Sequence, residues 1–475
     1  MPLILPGNVG SATADAGFNI DNSCRFDDDA KLTRTFGSGG SVVKWTWSSW
    51  FKVSYIGGNE QVFFSSFTDT SNFSYIKING NNKLEFRAKT SGSTILRYTL
   101  TRRFRDPSAF MHLVVALDTT DGTAGDRIKI WINGVRETVF DASTAPAEDA
   151  VTLMNSAAAH AIGYAGDGTD YFQGYMSQVC FVDNVQYDAD QFGEFDSDSG
   201  IWKPIDVSGL TFGATSFFLD FADSGDLGDD ESGEGNDWTE VNIAATDSAT
   251  DTPTNNFATI NPLVPSQGGF TPGSATYTEG ATLFTTVNAS SSYSRANSTF
   301  LLTAGKWYTE IKYVNAGSIY GLIGITGSNA TTTAAYLGVY AYDYAWYGNG
   351  GPSEDGNFYN NNGIVRTLGS GTVNNDILGM AIDLDNNTIQ YYRNNTAVGS
   401  ANAIAAPSAT DFGGYVVSAS EWSNSTNAVF NFNFGNPPYA NSSSAADGNG
   451  FGAFEYAPPS GFLAICTKNL SKVNS

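Results

Sequence analysis

Lys83-Leu84-Glu85-Phe86-Arg87-Ala88-Lys89 alternates charged and apolar side chains without a break. Successive side chains of an extended chain point to opposite faces, so this pattern predicts an antiparallel strand with one buried and one wet face. The same reading extends outward in both directions. In Trp45-Thr46-Trp47-Ser48-Ser49-Trp50-Phe51-Lys52-Val53, positions 45, 47, 51 and 53 are apolar and fall on one side. Met111 to Asp118 reads as a more deeply buried strand. Arg127 to Trp131 leads into Asn133-Gly134, a pair suited to the positive φ angles of a tight hairpin turn. Ala161 to Tyr164 and Gln173 to Val182 add two more strands. A second strand-rich block carries Lys306 to Tyr313, Tyr320 to Ile325, Tyr336 to Trp346, Ile377 to Leu384, Thr388 to Tyr392 and Val429 to Phe434, with Asp385-Asn386-Asn387 as a turn. Many short strands without helical periodicity predict an all-β chain of two antiparallel β-sandwich (jelly-roll) domains.

Composition agrees. Of 475 residues, 41% are hydrophobic, enough for packed cores, and 15% are charged, below the ~25% of ordinary soluble proteins. Gly, Asn and Asp supply turns, and Phe and Tyr supply pleated faces. The net charge is −24, which repels phosphate backbones and anionic lipid and argues against nucleic-acid and membrane-surface partners. Three cysteines at long spacing, with no CxxC pair, indicate neither a disulfide framework nor a zinc cage. Cys180, in an apolar run, reads as a small buried hydrophobe. MPLILPGNVG lacks the basic region and apolar length of a signal peptide, so synthesis without Sec export is expected.

The charge is unevenly distributed. Residues 204–294 contain thirteen Asp or Glu and no Lys or Arg, and residues 220–237 alone hold eight acids. The resulting organisation is an N-terminal attachment lead (1–20), a first sandwich (21–185), an acidic loop-rich linking segment (186–272), a second sandwich (273–440) and a C-terminal tail (441–475).

Particular stretches resemble known families. Cys24-Arg25-Phe26, WTWSSWFKV (45–53), RDPSAFMHLVVALDTT (105–120), DRIKIWINGV (126–135) and GYMSQVCFVDN (174–184) together resemble the laminin-G-like, concanavalin-A-like jelly roll. GKWYTEIKY (305–313), YGLIGI (320–325), ILGMAIDLDNNTIQYYRNN (377–395) and FNFGNPPY (432–439) resemble a SPRY domain. The opening MPLILPGNV, then FGEFDSDSGIWKP (192–204), SFFLDF and SGEGNDWT within 216–239, DTPTNNFATINPL (251–263) and PPSGFLAICTKNL (458–470) resemble a class of bacteriophage virion proteins. That last resemblance implies a tail fibre or similar surface appendage, located in the virion, oligomeric, and in contact with other virion proteins and a bacterial surface glycan or receptor.

Catalytic chemistry is sparse. His112 and His160 are the only histidines. His112 reads as a hydrogen-bonded sandwich residue and His160 as the end of a loop. Glycoside hydrolysis needs two carboxylates flanking the bond, and no such spacing occurs on a strand. Glu194, Asp196 and Asp198 fall in a turn-rich stretch and read as a solvated acidic loop. The expectation is therefore a non-enzymatic protein that requires no cofactor. Laminin-G-like domains often carry calcium at a sandwich rim, so the resemblance offers Asp27, Asp28, Asp118 and Asp126 as oxygen ligands for this ion. For glycans, aromatic faces stack on sugar rings. Trp131 points opposite to Ile130 and Ile132, toward the outer face of its strand. Tyr340, Tyr342, Tyr344 and Trp346 read as one side of a strand, which either lines a glycan groove or packs as the inner face of the second sandwich. Three functions follow from these readings. They are attachment to a host surface by weak multivalent glycan binding, a purely structural head-fibre or decoration subunit, and a polysaccharide depolymerase.

Overall fold

The computed structural model describes residues 17–168, 170–263, 275–286, 292–315, 320–329, 336–348, 356–369, 371–423 and 427–473. Two compact units are present, one ending at Asn255 and one beginning at Asn256. Nearly every regular element is a strand, and the described α-helix is the short Thr467–Val473 near the C-terminus.

The first unit is a two-sheet sandwich. One sheet runs Val135–Arg136, Ile128–Ile132, Met111–Asp118, Lys44–Val53, Gly174–Asp183, Ser23–Phe26 and Ser248–Ala249, with Phe217–Leu219 also pairing Gly174–Asp183. The other runs Phe140–Thr144, Ser93–Leu100, Leu84–Thr90, Asn72–Ile78, Gln61–Asp69, Ala159–Ile162, Lys31–Thr35 and Thr239–Val241. The alternating stretch behaves as its pattern requires. Leu84, Phe86 and Ala88 are buried in the core, and Glu85 on the opposite face pairs with Arg97 at 2.8 Å. Trp45, Trp47, Phe51 and Val53 also enter the core. Trp47 stacks on Phe64 of the opposing sheet with ring centroids 4.6 Å apart. Asn133 and Gly134 take φ of +50° and +73°, and the strands they join pair Ile132 with Val135.

The expected linker at 186–272 is corrected. Residues 186–255 fold on the first unit. Phe217, Leu219, Phe221, Leu227 and Trp238 lie in its core, and Thr239–Val241 extends the second sheet beside Lys31–Thr35. The acids are part of the loop architecture. Asp230 accepts hydrogen bonds from the N–H groups of Phe218 (2.9 Å), Ser232 (2.9 Å) and Asn236 (2.7 Å). Cations of the sandwich hold the end of the segment: Arg25 lies 3.6 Å from Asp247 and Lys52 lies 2.8 Å from Asp251.

The second unit is also a two-sheet sandwich. Its first sheet runs Thr276–Thr278, Leu283–Thr285, Ala428–Asn433, Lys306–Asn315, Asp376–Asp383, Thr388–Arg393 and Thr396–Ala403, with Leu463–Ala464 alongside Lys306–Asn315. Its second runs Ser292–Asn297, Val416–Ser423, Tyr320–Thr326, Asp343–Tyr347, Asn357–Asn360 and Gly363–Thr367. The expected tail at 441–475 is corrected as well. Phe454, Ala464, Ile465, Cys466 and Leu470 are buried. Buried Glu310 accepts the N–H groups of Glu455 (2.8 Å) and Tyr456 (2.9 Å), which ties this segment to the sheet. Burial pushes the Glu310 carboxyl up to about 7.

Candidate functional site

Of the aromatic residues singled out in the sequence, Trp131, Tyr344 and Trp346 are buried. Trp131 does face away from Ile130 and Ile132, but that outer face is covered. Trp131 is buried in a second cluster with Val114, Ala116, Cys180, Val182, Phe192 and Val207. The segment 186–212 forms the cover, so Trp131 is removed from glycan contact. Tyr344 and Trp346 lie in the core of the second sandwich. The Tyr344 hydroxyl accepts the Ala405 N–H at 2.8 Å. Tyr340 and Tyr342 precede the strand Asp343–Tyr347 and lie in turns, half-buried. The four do not form one exposed ladder, because the strand begins only at Asp343.

The proposed calcium ligands are also dispersed. Asp118 forms an ion pair with Lys44 at 2.6 Å, and Asp126 forms one with Arg136 at 3.1 Å. Asp27 accepts the Ala30 N–H through its backbone carbonyl at 3.1 Å, as a turn residue. Among the described residues, no group of three or more His, Cys, Asp or Glu side chains is arranged to hold a metal ion.

Both histidines are buried and neutral. The Trp202 indole N–H donates to His112 Nδ1 at 3.1 Å, which leaves Nε2–H to donate to Ser48 Oγ at 2.8 Å. Burial holds the His112 imidazolium down to about 3. His160 belongs to the strand Ala159–Ile162, where a loop end was expected. Its Nε2 accepts the Asn155 N–H at 2.9 Å, so Nδ1–H donates to the Ala158 carbonyl at 2.8 Å. Burial holds its imidazolium down to about 4. Every ring nitrogen is engaged by the fold, so neither histidine is placed as a general base.

A trough lies elsewhere, on the outer face of the first unit's second sheet. Its volume is about 310 Å³. Strand register constructs its floor. Ser65 opposes Ala161, Ala161 opposes Thr33, and Thr33 opposes Thr239, which makes one row of small side chains across four strands. Ala159 and Thr35 oppose each other in the next row. Inward-pointing Ile162 and the buried His160 take the alternate positions on the core side. Aromatic Phe67 and Tyr164 stand among the lining residues. Tyr164 is held from three sides. Its ring lies 4.6 Å from that of Tyr171, Lys31 Nζ sits 3.9 Å over it, and its carbonyl accepts the Ser65 hydroxyl at 2.6 Å. Gly166 (φ +85°) brings the following loop so close to Phe67 that a Cβ there would lie 2.5 Å from it. None of the lining residues is an Asp or Glu.

The trough thus offers two aromatic surfaces, four hydroxyl side chains and a flat floor. This geometry suits a sugar ring, whose C–H face stacks while its hydroxyls exchange hydrogen bonds at the edge. Sequence reading missed it because the floor residues are small and individually unremarkable on a half-wet strand. The outward parity of Phe67, beside Ser65, was the available signal.

Residues 27–189 match the family described as the concanavalin A-like lectin/glucanases superfamily. Among solved structures, the chain is similar to a heptameric SAP-like pentraxin from Limulus polyphemus, at 14% identity over 36% of this chain and 80% of that one, with a TM-score of 0.27. It is similar to the SPRY domain of human HERC1 at 17% identity, over 34% of this chain and 96% of that one, with a TM-score of 0.26. A candidate carbohydrate binding protein from Bacteroides ovatus is similar at 15% identity, over 48% of this chain and 60% of that one, with a TM-score of 0.32. No curated protein matches the chain.

Proposed function

We propose that this chain is a non-enzymatic attachment protein of a bacteriophage particle, a tail fibre or similar surface appendage, that binds bacterial surface glycans in the trough of its first sandwich. The trough carries this reading: aromatic Phe67 and Tyr164 border a hydroxyl-rich floor made by four paired strands. The match of residues 27–189 to a lectin and glucanase superfamily supports a carbohydrate ligand. The segments resembling phage virion proteins support the setting. A shallow, open site of this kind binds a single sugar weakly. Copies linked on one particle raise avidity by ~10²–10⁴, so function depends on a homo-oligomeric or multi-copy arrangement in the virion.

Between binding and hydrolysis, the lining supports binding. A glycosidase positions two carboxylates about the scissile bond, whereas the trough presents hydroxyls and aromatic rings. The reading calls for no cofactor, and binding should persist in a chelator. A glycan array probed with the purified full chain tests the proposal. Specific binding that is lost in Phe67→Ala and Tyr164→Ala, with the circular dichroism spectrum unchanged, supports it. Release of reducing sugar from a bacterial polysaccharide would replace it with the depolymerase reading.

A structural role as a head-fibre or decoration subunit is favoured by one separate observation. Gly363–Thr367 is the edge strand of its sheet, and Ile364 and Val365 on its two faces are 51% and 59% exposed. Exposed apolar edges pair readily with other protein chains. A silent glycan array together with loss of particle assembly in Ile364→Lys/Val365→Lys would favour that role.

A further inference from the structure

Lys52 and Asp251 are separated by 199 residues and meet inside the first unit, with Nζ 2.8 Å from Oδ2. Their side chains are 1% and 0% exposed. The other lysine–carboxylate pairs of the described residues all leave a partner open to water, and the most enclosed of them, Lys77 with Asp170, stands at 5% and 15%. Arg295 and Asp343 are buried to a similar degree, but a guanidinium is not a nucleophile. Lys52–Asp251 is therefore distinguished by a nucleophilic nitrogen and an acyl carbon held together out of water.

The surroundings reinforce this. Lys52 opposes Tyr175, which opposes Arg25 on the next strand, and Ser248–Ala249 pairs beyond them with Ser23–Cys24. Asp251 leaves that last strand with its backbone carbonyl held by the Ser23 hydroxyl at 2.7 Å. The Phe110 and Tyr175 rings lie 5.7 and 5.6 Å from Lys52 Nζ. Burial pulls the Lys52 ammonium below the usual lysine range, against the opposing pull of Asp251 and of a further carboxylate, Asp106. In so dry a site, transfer of the ammonium proton to Asp251 gives a free amine facing a neutral carboxylic acid.

We propose that Lys52 and Asp251 condense to an intramolecular amide that closes the first unit covalently. The Nζ lone pair attacks Cγ of the protonated Asp251 carboxyl and forms the C–N bond. The C–O bond to the hydroxyl then breaks. One proton from the nitrogen passes to the departing hydroxyl, which leaves as water. No atom changes oxidation state, and no co-reactant is needed. The product joins the strand Lys44–Val53 to the C-terminal end of the unit. Like a disulfide spanning a long loop, it restricts the unfolded chain.

Denaturing intact-mass spectrometry of the purified full chain tests this directly. The expected mass is lower than that of the sequence by one water molecule. Proteolysis should yield a branched peptide joining Lys52 to Asp251, which separates the amide from a cyclised aspartate elsewhere. Lys52→Arg keeps a cation in the site and should restore the unmodified mass. Recovery of Lys52 and Asp251 in separate linear peptides from the folded wild-type protein would overturn the proposal, whatever the variants do.

Discussion

Truncating Trp238 asks whether the acidic region is part of the sandwich or a tether beside it. Trp238 is 3% exposed. Its ring lies 4.9 Å from that of Phe217 and 6.1 Å from that of Phe64. Burying a tryptophan removes about 200 Å² from water, which at ~25 cal/mol per Å² amounts to about 5 kcal/mol. Measured Trp→Ala changes in cores run to about 3–5 kcal/mol, because the surroundings collapse only partly into the cavity. Trp238→Ala should therefore destabilise the first unit by about 3–5 kcal/mol. With a urea slope near ~3 kcal/mol/M for a unit of this size, the unfolding midpoint should fall by about 1–2 M. The assay is urea titration of the full chain read by hydrogen exchange in the peptides of Lys44–Val53 and Leu84–Thr90, which report on this unit alone. A tether would respond as surface positions do, within about 0.5 kcal/mol. A midpoint shift that small would refute the assignment of residues 186–255 to the sandwich core.

Phe67→Ala and Tyr164→Ala should each weaken glycan binding about tenfold while leaving the melting temperature nearly unchanged, measured on an immobilised glycan, since stacking on an aromatic ring is worth ~1 kcal/mol or more. Trp131→Ala and Trp346→Ala should do the reverse, losing about 3–5 kcal/mol of stability with no specific effect on glycan affinity in whatever fraction stays folded. Stability of the second unit should decline with rising pH. The folded Glu310 carboxyl sits near 7, above its ordinary 4.5, so its favourable contribution is complete below about pH 4.5 and is lost as pH rises through 7. Glu310→Gln should flatten that slope in chemical denaturation between pH 5 and 8. The first unit carries an opposite term, because His112 and His160 are held near 3 and 4. Their contribution is complete above 6.5 and falls as pH drops toward 4, so His160→Gln should reduce the acid sensitivity of this unit in thermal melts.

The all-β class and the paired sheets were legible in the sequence because side-chain alternation is a local consequence of extended geometry. Leu84, Phe86 and Ala88, or Trp45 and Trp47, declare an inner face without knowledge of what they meet. The turn at Asn133-Gly134 was legible for the same reason, since positive φ is a property of the residues that adopt it. The parity of Trp131 was read correctly too. Its burial was not, because what covers it arrives from residues 186–212, in a stretch with no alternation to reveal its role. Strands such as Phe217–Leu219 and Thr239–Val241 are only three residues long, too short for a period of two to stand out from a background of acids. The trough and the Lys52–Asp251 contact lay further out of reach. Ser65, Ala161, Thr33 and Thr239 become one surface only through the register of four strands, and the lysine meets its aspartate, 199 positions away in sequence, only once the unit has folded. Side-chain alternation sets which faces of the strands seek the core. Which outer faces stay open to a ligand is set by the assembled fold, because exposure depends on which distant segment comes to lie on top.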